Sequence, residues 1–243
     1  MINIVIPMAG MGSRFAKAGY EKPKPFIDVA GKPMIVRVLE NLNVPSAHYY
    51  LIARKEHLEV EADLVKDIEN NWPVTFIAID KLTEGTACTV LYARKYINND
   101  KPLLIANSDQ IVDCDINAFI AHIIEEKKAD GGILTFKDPM MNPKWSFARL
   151  DEETKEVVEV KEKEAISDIA TVGIYLFSKG SYFVDYAIDM IAENIRVNNE
   201  FYTCPVYNHM VTDRKKVFTW DIAMEDMHGI GTPDDLNIYL TKI

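Results

Sequence analysis

The chain has 243 residues, 48% hydrophobic and 26% charged, an ordinary balance for a globular protein and long enough to bury a substantial core. A formal net charge of -10 argues against a general nucleic-acid binder, which carries a basic face. No apolar run approaches the roughly 18 residues of a membrane helix, and the opening MINIVIPMAG, with no basic start and a polar Asn3, reads as a strand rather than a signal peptide.

In chain order, Ile2–Pro7, His48–Ala53, Val74–Ile79 and Leu103–Ala106 are short apolar runs of the kind found in strands buried on both faces. Between them Pro33–Leu42, Lys55–Asn70 and Thr86–Tyr96 repeat apolar residues at helical spacing, as with Ile35, Val38, Leu39 and Leu42. Ile116–Lys127 gives another helix and Gly131–Phe136 another strand. Such alternation predicts right-handed crossovers and a mainly parallel sheet with helices on both faces, an α/β fold. After about residue 138 the texture changes. Ser146–Leu150 and Val157–Glu162 read as strands joined by the charged hairpin DEETKE, followed by strand Thr171–Phe177 and helix Lys179–Asn194. A strand at Val217–Trp220 and a helix opened by TPDD finish the chain, with Thr232 as N-cap and Pro233 at the first helical position. With no repeat and no linker, residues 1–243 read as one domain. Cys88, Cys114 and Cys204 have no metal or redox spacing, which fits a reducing cytoplasm.

Ligands of open α/β sheets sit beyond the carboxyl ends of the strands. Three unusual segments follow strands there: Met8–Phe26, Thr83–Ala87 and Asn107–Gln110. The first, MAGMGSRFAKAGYEKPKPF, gathers Arg14, Lys17, Lys22 and Lys24 in an otherwise acidic chain. Gly10 and Gly12 allow close backbone approach to a phosphate and offer open N–H donors, Arg14 brings a planar fork, and Lys22 and Lys24 bring point charges. The segment is neither a Walker loop nor a dinucleotide fingerprint. A polyanionic small ligand is the expectation.

The order of residues carries more. PMAGMGSRF…KPKPFIDVAGKPMI, then TEGTA (Thr83–Ala87), ANSDQ (Ala106–Gln110), VKEK (Val160–Lys163), ATVGIYLF (Ala170–Phe177), NNEFY (Asn198–Tyr202) and GIGTPDDL (Gly229–Leu236) resemble the nucleoside-diphosphate-sugar pyrophosphorylase family of nucleotidyltransferases over essentially the whole chain. The resemblance implies a Rossmann-like, mainly parallel sheet of the nucleotide-diphospho-sugar transferase fold. It also implies a reaction in which a phosphorylated acceptor attacks the α-phosphorus of a nucleoside triphosphate and pyrophosphate leaves. By matching position, Ala9, Gly10, Met11, Gly12, Ser13 and Arg14 line the triphosphate, with Arg14 and Lys24 as the catalytic cations. Thr83, Gly85, Thr86 and Ser108 complete the nucleotide site, and Gly85 lies where a side chain would obstruct the base or ribose. Asp109 matches a Mg²⁺ ligand, and Lys163 and Glu200 fall to the acceptor.

Two departures accompany the match. The family usually places an aspartate, a second metal ligand, two residues before the glycine of G-T-P; here Gly229 stands there, and Asp226, three positions away, falls on the opposite face of a strand. Members for uridine and thymidine commonly carry a glutamine near the position before Glu84, where this chain has Lys81, Leu82 and Thr83. The missing glutamine tilts the base toward cytosine, read by backbone carbonyls or Thr83. The ending MHGIGTPDDL resembles short family members that serve capsule biosynthesis, which implies CTP as donor and L-glutamine phosphate, rather than a sugar phosphate, as acceptor, bound among NPKWSF, Lys163 and Glu200. The alternatives are a sugar-1-phosphate uridylyl-, thymidylyl- or cytidylyltransferase, and, from another class, a non-catalytic regulatory subunit that binds nucleotide. A homo-oligomer is compatible with the aromatic C-terminal half.

Overall fold

The structure is a computed structural model and describes residues 1–243. Strand β1 (Ile2–Pro7) leads through a short helix α1 (Ser13–Lys17) and the two-residue strands β2 (Asp28–Val29) and β3 (Lys32–Pro33) to helix α2 (Met34–Leu42). The α2 stripe Ile35, Val38, Leu39 and Leu42 is buried, and Asn43 ends the helix in the left-handed conformation. Strand β4 (Ala47–Arg54) follows. The single helix expected over 55–70 is two, α3 (Lys55–Val60) and α4 (Ala62–Asn71), broken at Glu61. Packing explains why the break is tolerated: α3 buries no residue and α4 only Ile68, so little holds the turns collinear. Strand β5 (Val74–Ile79) leads to α5 (Thr86–Val90), which passes through a 3₁₀ turn into α6 (Arg94–Ile97).

Strand β6 (Leu103–Ala106) and the short β7 (Gln110–Val112) precede α7 (Ile116–Ala121), whose last turns widen into a π-helical segment at His122–Glu126. Then come β8 (Gly131–Lys137), the hairpin β9 (Ser146–Leu150) and β10 (Val157–Glu162), and the long β11 (Ile169–Phe177). Helices α8 (Gly180–Ala192) and α9 (Val206–Thr212), strands β12 (Val217–Ile222) and β13 (Met227–Gly229), and helix α10 (Pro233–Leu240) complete the chain. Thr232 caps α10 by accepting from the Asp235 amide at 3.1 Å.

β1, β4, β5 and β6 are parallel, in the order β6-β1-β4-β5. β11 runs antiparallel to β6 and to β8, which in turn pairs parallel with β12, and the β9–β10 hairpin joins the first half of β11. The sheet is therefore mixed and mainly parallel, as expected. Strand alternation splits the core by face. Ile4 and Ile6 pack toward α2, α7 and α10, while Val5 packs toward α5, α6, α8 and α9. β1 and β6 end at one edge of the sheet, and β11 begins its central stretch there.

Candidate active site

A cleft of about 740 Å³ opens at that edge, between the loops after β1 and β6 and the β9–β11 layer. β1 hands the chain over at Met8, whose amide donates to Ile52 O at 2.8 Å. From Ala9 to Arg14 no backbone N–H donates to another group of the protein. Six open amides in succession form a ready anion cradle. Gly12 turns this loop with φ +60°, and a β-carbon there would stand 3.0 Å from Lys24 Cβ. The glycine thus lets the loop lie against the lysine.

Lys24 Nζ forms an ion pair with Asp109 Oδ2. Asp109 follows β6 and is held from the other side by the end of the chain: its carbonyl accepts from Ile230 N at 2.9 Å, and Gly231 leaves room for its carboxylate, which a β-carbon would approach to 2.5 Å. β13 pairs antiparallel with β7, setting Gly229 opposite Gln110 and His228 opposite Ile111. At the place of a second metal ligand there is therefore only a glycine. Asp226 lies at the far end of this ladder, where its carbonyl accepts from Asp113 N at 2.8 Å. The Asp235 carboxylate approaches a Gly229 β-carbon position to 4.0 Å but accepts from the Thr232 hydroxyl at 2.7 Å.

The Thr83–Thr89 segment forms the next wall. The Thr83 hydroxyl is bonded to Gly85 O at 3.0 Å and Thr89 Oγ1 at 2.6 Å, so it has little capacity left for a base. Thr86 Oγ1 accepts from the Thr203 amide at 3.2 Å. Gly85 lines the cleft, but its own reason is internal. With φ +123°, a β-carbon would stand 2.3 Å from Phe201 O and 2.5 Å from Phe201 N. Phe201 N donates to Glu84 O at 2.7 Å and Ala87 N to Phe201 O at 3.0 Å, while Arg196 pairs with Glu84 and lies over the Phe201 ring. The expected clearance for a ligand is a clearance for backbone.

The remaining wall gathers Lys144, Trp145, Ser146, Lys163 and Glu200. Lys163 follows β10 with φ +57° and donates its amide to Trp145 O at 3.0 Å. Its Nζ meets the Tyr202 hydroxyl, which donates to Glu200 Oε2. Burial and the neighbouring Glu200 carboxylate push the Tyr202 hydroxyl well up, so it remains a donor. Glu162, absent from the sequence expectations, is 9% exposed and accepts from the Ser146 hydroxyl. Burial raises its carboxyl above the usual range; Ser146 and Lys163 oppose the shift and Glu200 adds to it. Burial also pushes the Cys204 thiol up, leaving it an unreactive wall.

Every site residue expected from sequence lines the cleft except Ser13, which is exposed at the start of α1. Beyond Glu162, sequence reasoning missed Tyr202, Asn107 and Gln110. Asn107 Nδ2 donates to Gln110 Oε1 at 2.9 Å beneath Gly173, where a β-carbon would stand 2.1 Å from that nitrogen. A glycine inside the strand run ATVGIYLF was the available signal, since strand glycines mark a bulge or a close approach. The bulge is present: the β11–β8 register shifts between Thr171 and Tyr175.

Comparison with known proteins places this cleft in context. Over 180 residues the chain is 26% identical to the bifunctional protein GlmU of Methanocaldococcus jannaschii, covering 73% of this chain and 40% of that one. Over 185 residues it is 29% identical to a probable mannose-1-phosphate guanylyltransferase of Oryza sativa, covering 73% and 50%. The matches thus span half or less of these relatives' length. Among solved structures, a nucleoside-diphosphate-sugar pyrophosphorylase from Vibrio cholerae RC9 superposes with a TM-score of 0.81 at 24% identity, covering 98% of this chain and 99% of that one. An inositol-1-phosphate CTP transferase from T. maritima gives 0.76 at 14%, covering 99% and 93%. These likenesses establish the fold. The family model described as nucleotidyl transferase matches residues 4–222, and the chain belongs to that family.

Proposed function

We propose that the cleft transfers a nucleoside monophosphate from a nucleoside triphosphate to the phosphate of a small acceptor, releasing pyrophosphate. One observation carries the reading: the open amides of Ala9–Gly12 and Arg14 and the Lys24–Asp109 pair share a single cleft with Lys163, so two anions can be held against each other. An acceptor phosphate oxygen attacks the α-phosphorus, the bond to the bridging oxygen breaks, and pyrophosphate carries the electron pair away. The acceptor phosphate has a second pKa near about 6 and is already ionised, so no side-chain base is required. The protein's part is positioning and charge neutralisation. The loop amides and Arg14 hold the triphosphate, Lys24 faces the reacting phosphorus, and Lys163 holds the acceptor phosphate. Asp109 supplies the hard oxygen donor that Mg²⁺ prefers, and phosphate oxygens and water suit the rest of its coordination. Such an ion would lower the charge repulsion between the two substrates.

For the acceptor, the name of the Oryza sativa relative, a probable mannose-1-phosphate guanylyltransferase, favours a sugar 1-phosphate, from whose hydroxyls Glu162 and Glu200 can accept hydrogen bonds. A second reading, cytidylyl transfer from CTP to L-glutamine phosphate, is favoured by the carboxylates of Glu200 and Glu162 beside Lys163, which suit an α-ammonium, and by the lack of a glutamine at Lys81–Thr83. With Thr83 engaged internally, backbone groups are left to read the base. The deciding experiment measures pyrophosphate release for CTP, UTP, dTTP and GTP against sugar 1-phosphates and L-glutamine phosphate. Fastest release with a sugar 1-phosphate supports the first acceptor class, and fastest release with CTP and L-glutamine phosphate the second. Release with no pair, while nucleotide still binds, returns the regulatory subunit.

A further inference from the structure

The amino-terminal edge of the sheet, opposite the cleft, carries a second pocket of about 560 Å³. Its floor is a row of polar side chains on three adjacent strands, Asn3 on β1, His48 on β4 and Thr75 on β5. Asn3 is in register with His48, and His48 Nε2 lies 2.8 Å from Thr75 Oγ1. Asn3 has no such partner. It is 3% exposed, and its Nδ2 makes no hydrogen bond. A buried amide left unpaired is costly, and such groups in native structures call for an explanation.

The surroundings of Asn3 are those of a ligand pocket. The His48 ring lies 4.9 Å from Tyr50, and Tyr50 stacks on Tyr96 at 4.7 Å and 20°, giving an aromatic wall. Lys101 stands at the rim, with Met1 Sδ at 3.7 Å as the hydrogen-bond partner of its ammonium. The volume falls within the roughly 300–1,000 Å³ of small-molecule sites and far exceeds what one water fills. None of these residues lines the catalytic cleft or enters nucleotidyl transfer as described above.

We propose that this pocket is a second binding site, for a flat heteroaromatic ring that bears a carbonyl acceptor and a phosphate tail, the chemistry of a nucleoside monophosphate. Asn3 Nδ2 donates to the ring carbonyl, the ring lies along the Tyr50–Tyr96 wall, and Lys101 takes the phosphate. A stacked ring gains from the aromatic wall, and the orphaned amide gains its missing acceptor.

The test is a titration of ¹⁵N-labelled protein with each of the common nucleoside 5′-monophosphates, followed by amide chemical shifts. The expected result is saturable shifts at residues 46–50, 73–77 and 98–103, separate from any at 9–14 in the cleft. Lys101→Ala, a surface change, and Asn3→Leu each weaken the amino-edge binding by at least about tenfold and leave shifts at 9–14 unaltered. Shifts confined to the cleft, or amino-edge shifts equally strong in both variants, overturn the proposal. Since Lys101 is exposed, its variant keeps the test decisive if the Asn3 variant folds poorly.

Discussion

Lys24 and Asp109, 85 positions apart in the chain, meet as an ion pair in the cleft, with side chains 21% and 27% exposed. The pair joins the glycine-rich loop region to the end of β6 and neutralises both groups while no anion is bound. On the proposed reading, a bound triphosphate would offer Lys24 a stronger partner and free Asp109 for a cation. The two residues therefore act together rather than as separate contributors.

Arg14→Ala or Lys24→Ala should each lower turnover at least about a hundredfold, the scale of losing one electrostatic donor aimed at the transition state. Thermal stability should change little, because Arg14 is exposed and Lys24 sits at the cleft surface. Steady-state pyrophosphate release beside a melting curve checks this, and near-normal turnover in either variant removes the assignment.

Asp109→Asn should abolish turnover at ordinary Mg²⁺ while leaving the fold intact, and EDTA should silence the unmodified protein. The double variant with Lys24→Ala should lose less than the two single losses combined, since the residues are in contact. Full activity in EDTA would defeat the metal-assisted reading.

Gly85→Ala should destabilise the protein by more than about 2 kcal/mol, through an unfavourable φ and a β-carbon driven into the Phe201 backbone. Denaturant unfolding measures it. An unchanged midpoint would mean that the two segments separate at no cost, against the short contacts between them.

Glu162→Gln keeps a partner for the Ser146 hydroxyl and removes a buried ionisable group. The Glu162 carboxyl is raised by burial from an ordinary value of 4.5, so the unfolded chain ionises first as pH rises. Below that value the group is neutral in both states; above its native pKa the native state must hold a buried charge and has lost stability. The variant should therefore gain Tm relative to the unmodified protein at pH 8 compared with pH 4. A difference independent of pH would show that Glu162 ionises freely.

The sheet was legible because these strands are short, predominantly apolar runs, and Ile2–Pro7, Val74–Ile79 and Leu103–Ala106 fall where the sequence places them. α9 went unseen because Val206, Tyr207 and Met210 give too short a stripe to declare a helix, and Tyr207 earns its place through distant partners, donating to Gly132 O and Leu176 O at 2.9 Å. The β7–β13 ladder has three residues on each side and no periodicity to read. The cleft residues were legible as an ordered set of motifs. Their reasons were not: the clash that fixes Gly85, the bond that occupies Thr83 and the burial that shifts Glu162 all come from segments far away in sequence.

Asp109 is oriented by Ile230 and Gly231, more than a hundred residues later, across the ladder that joins β7 to β13. During synthesis the Ala9–Arg14 loop and the parallel strands can assemble while the remainder is still being made, because their contacts are comparatively early and local. The carboxylate cannot take its working pose until residue 231 has emerged and found its place. On the proposed reading, an incomplete chain could hold a nucleotide before it could turn one over, because the last strand in the sequence, β13, leads into the residues that set Asp109.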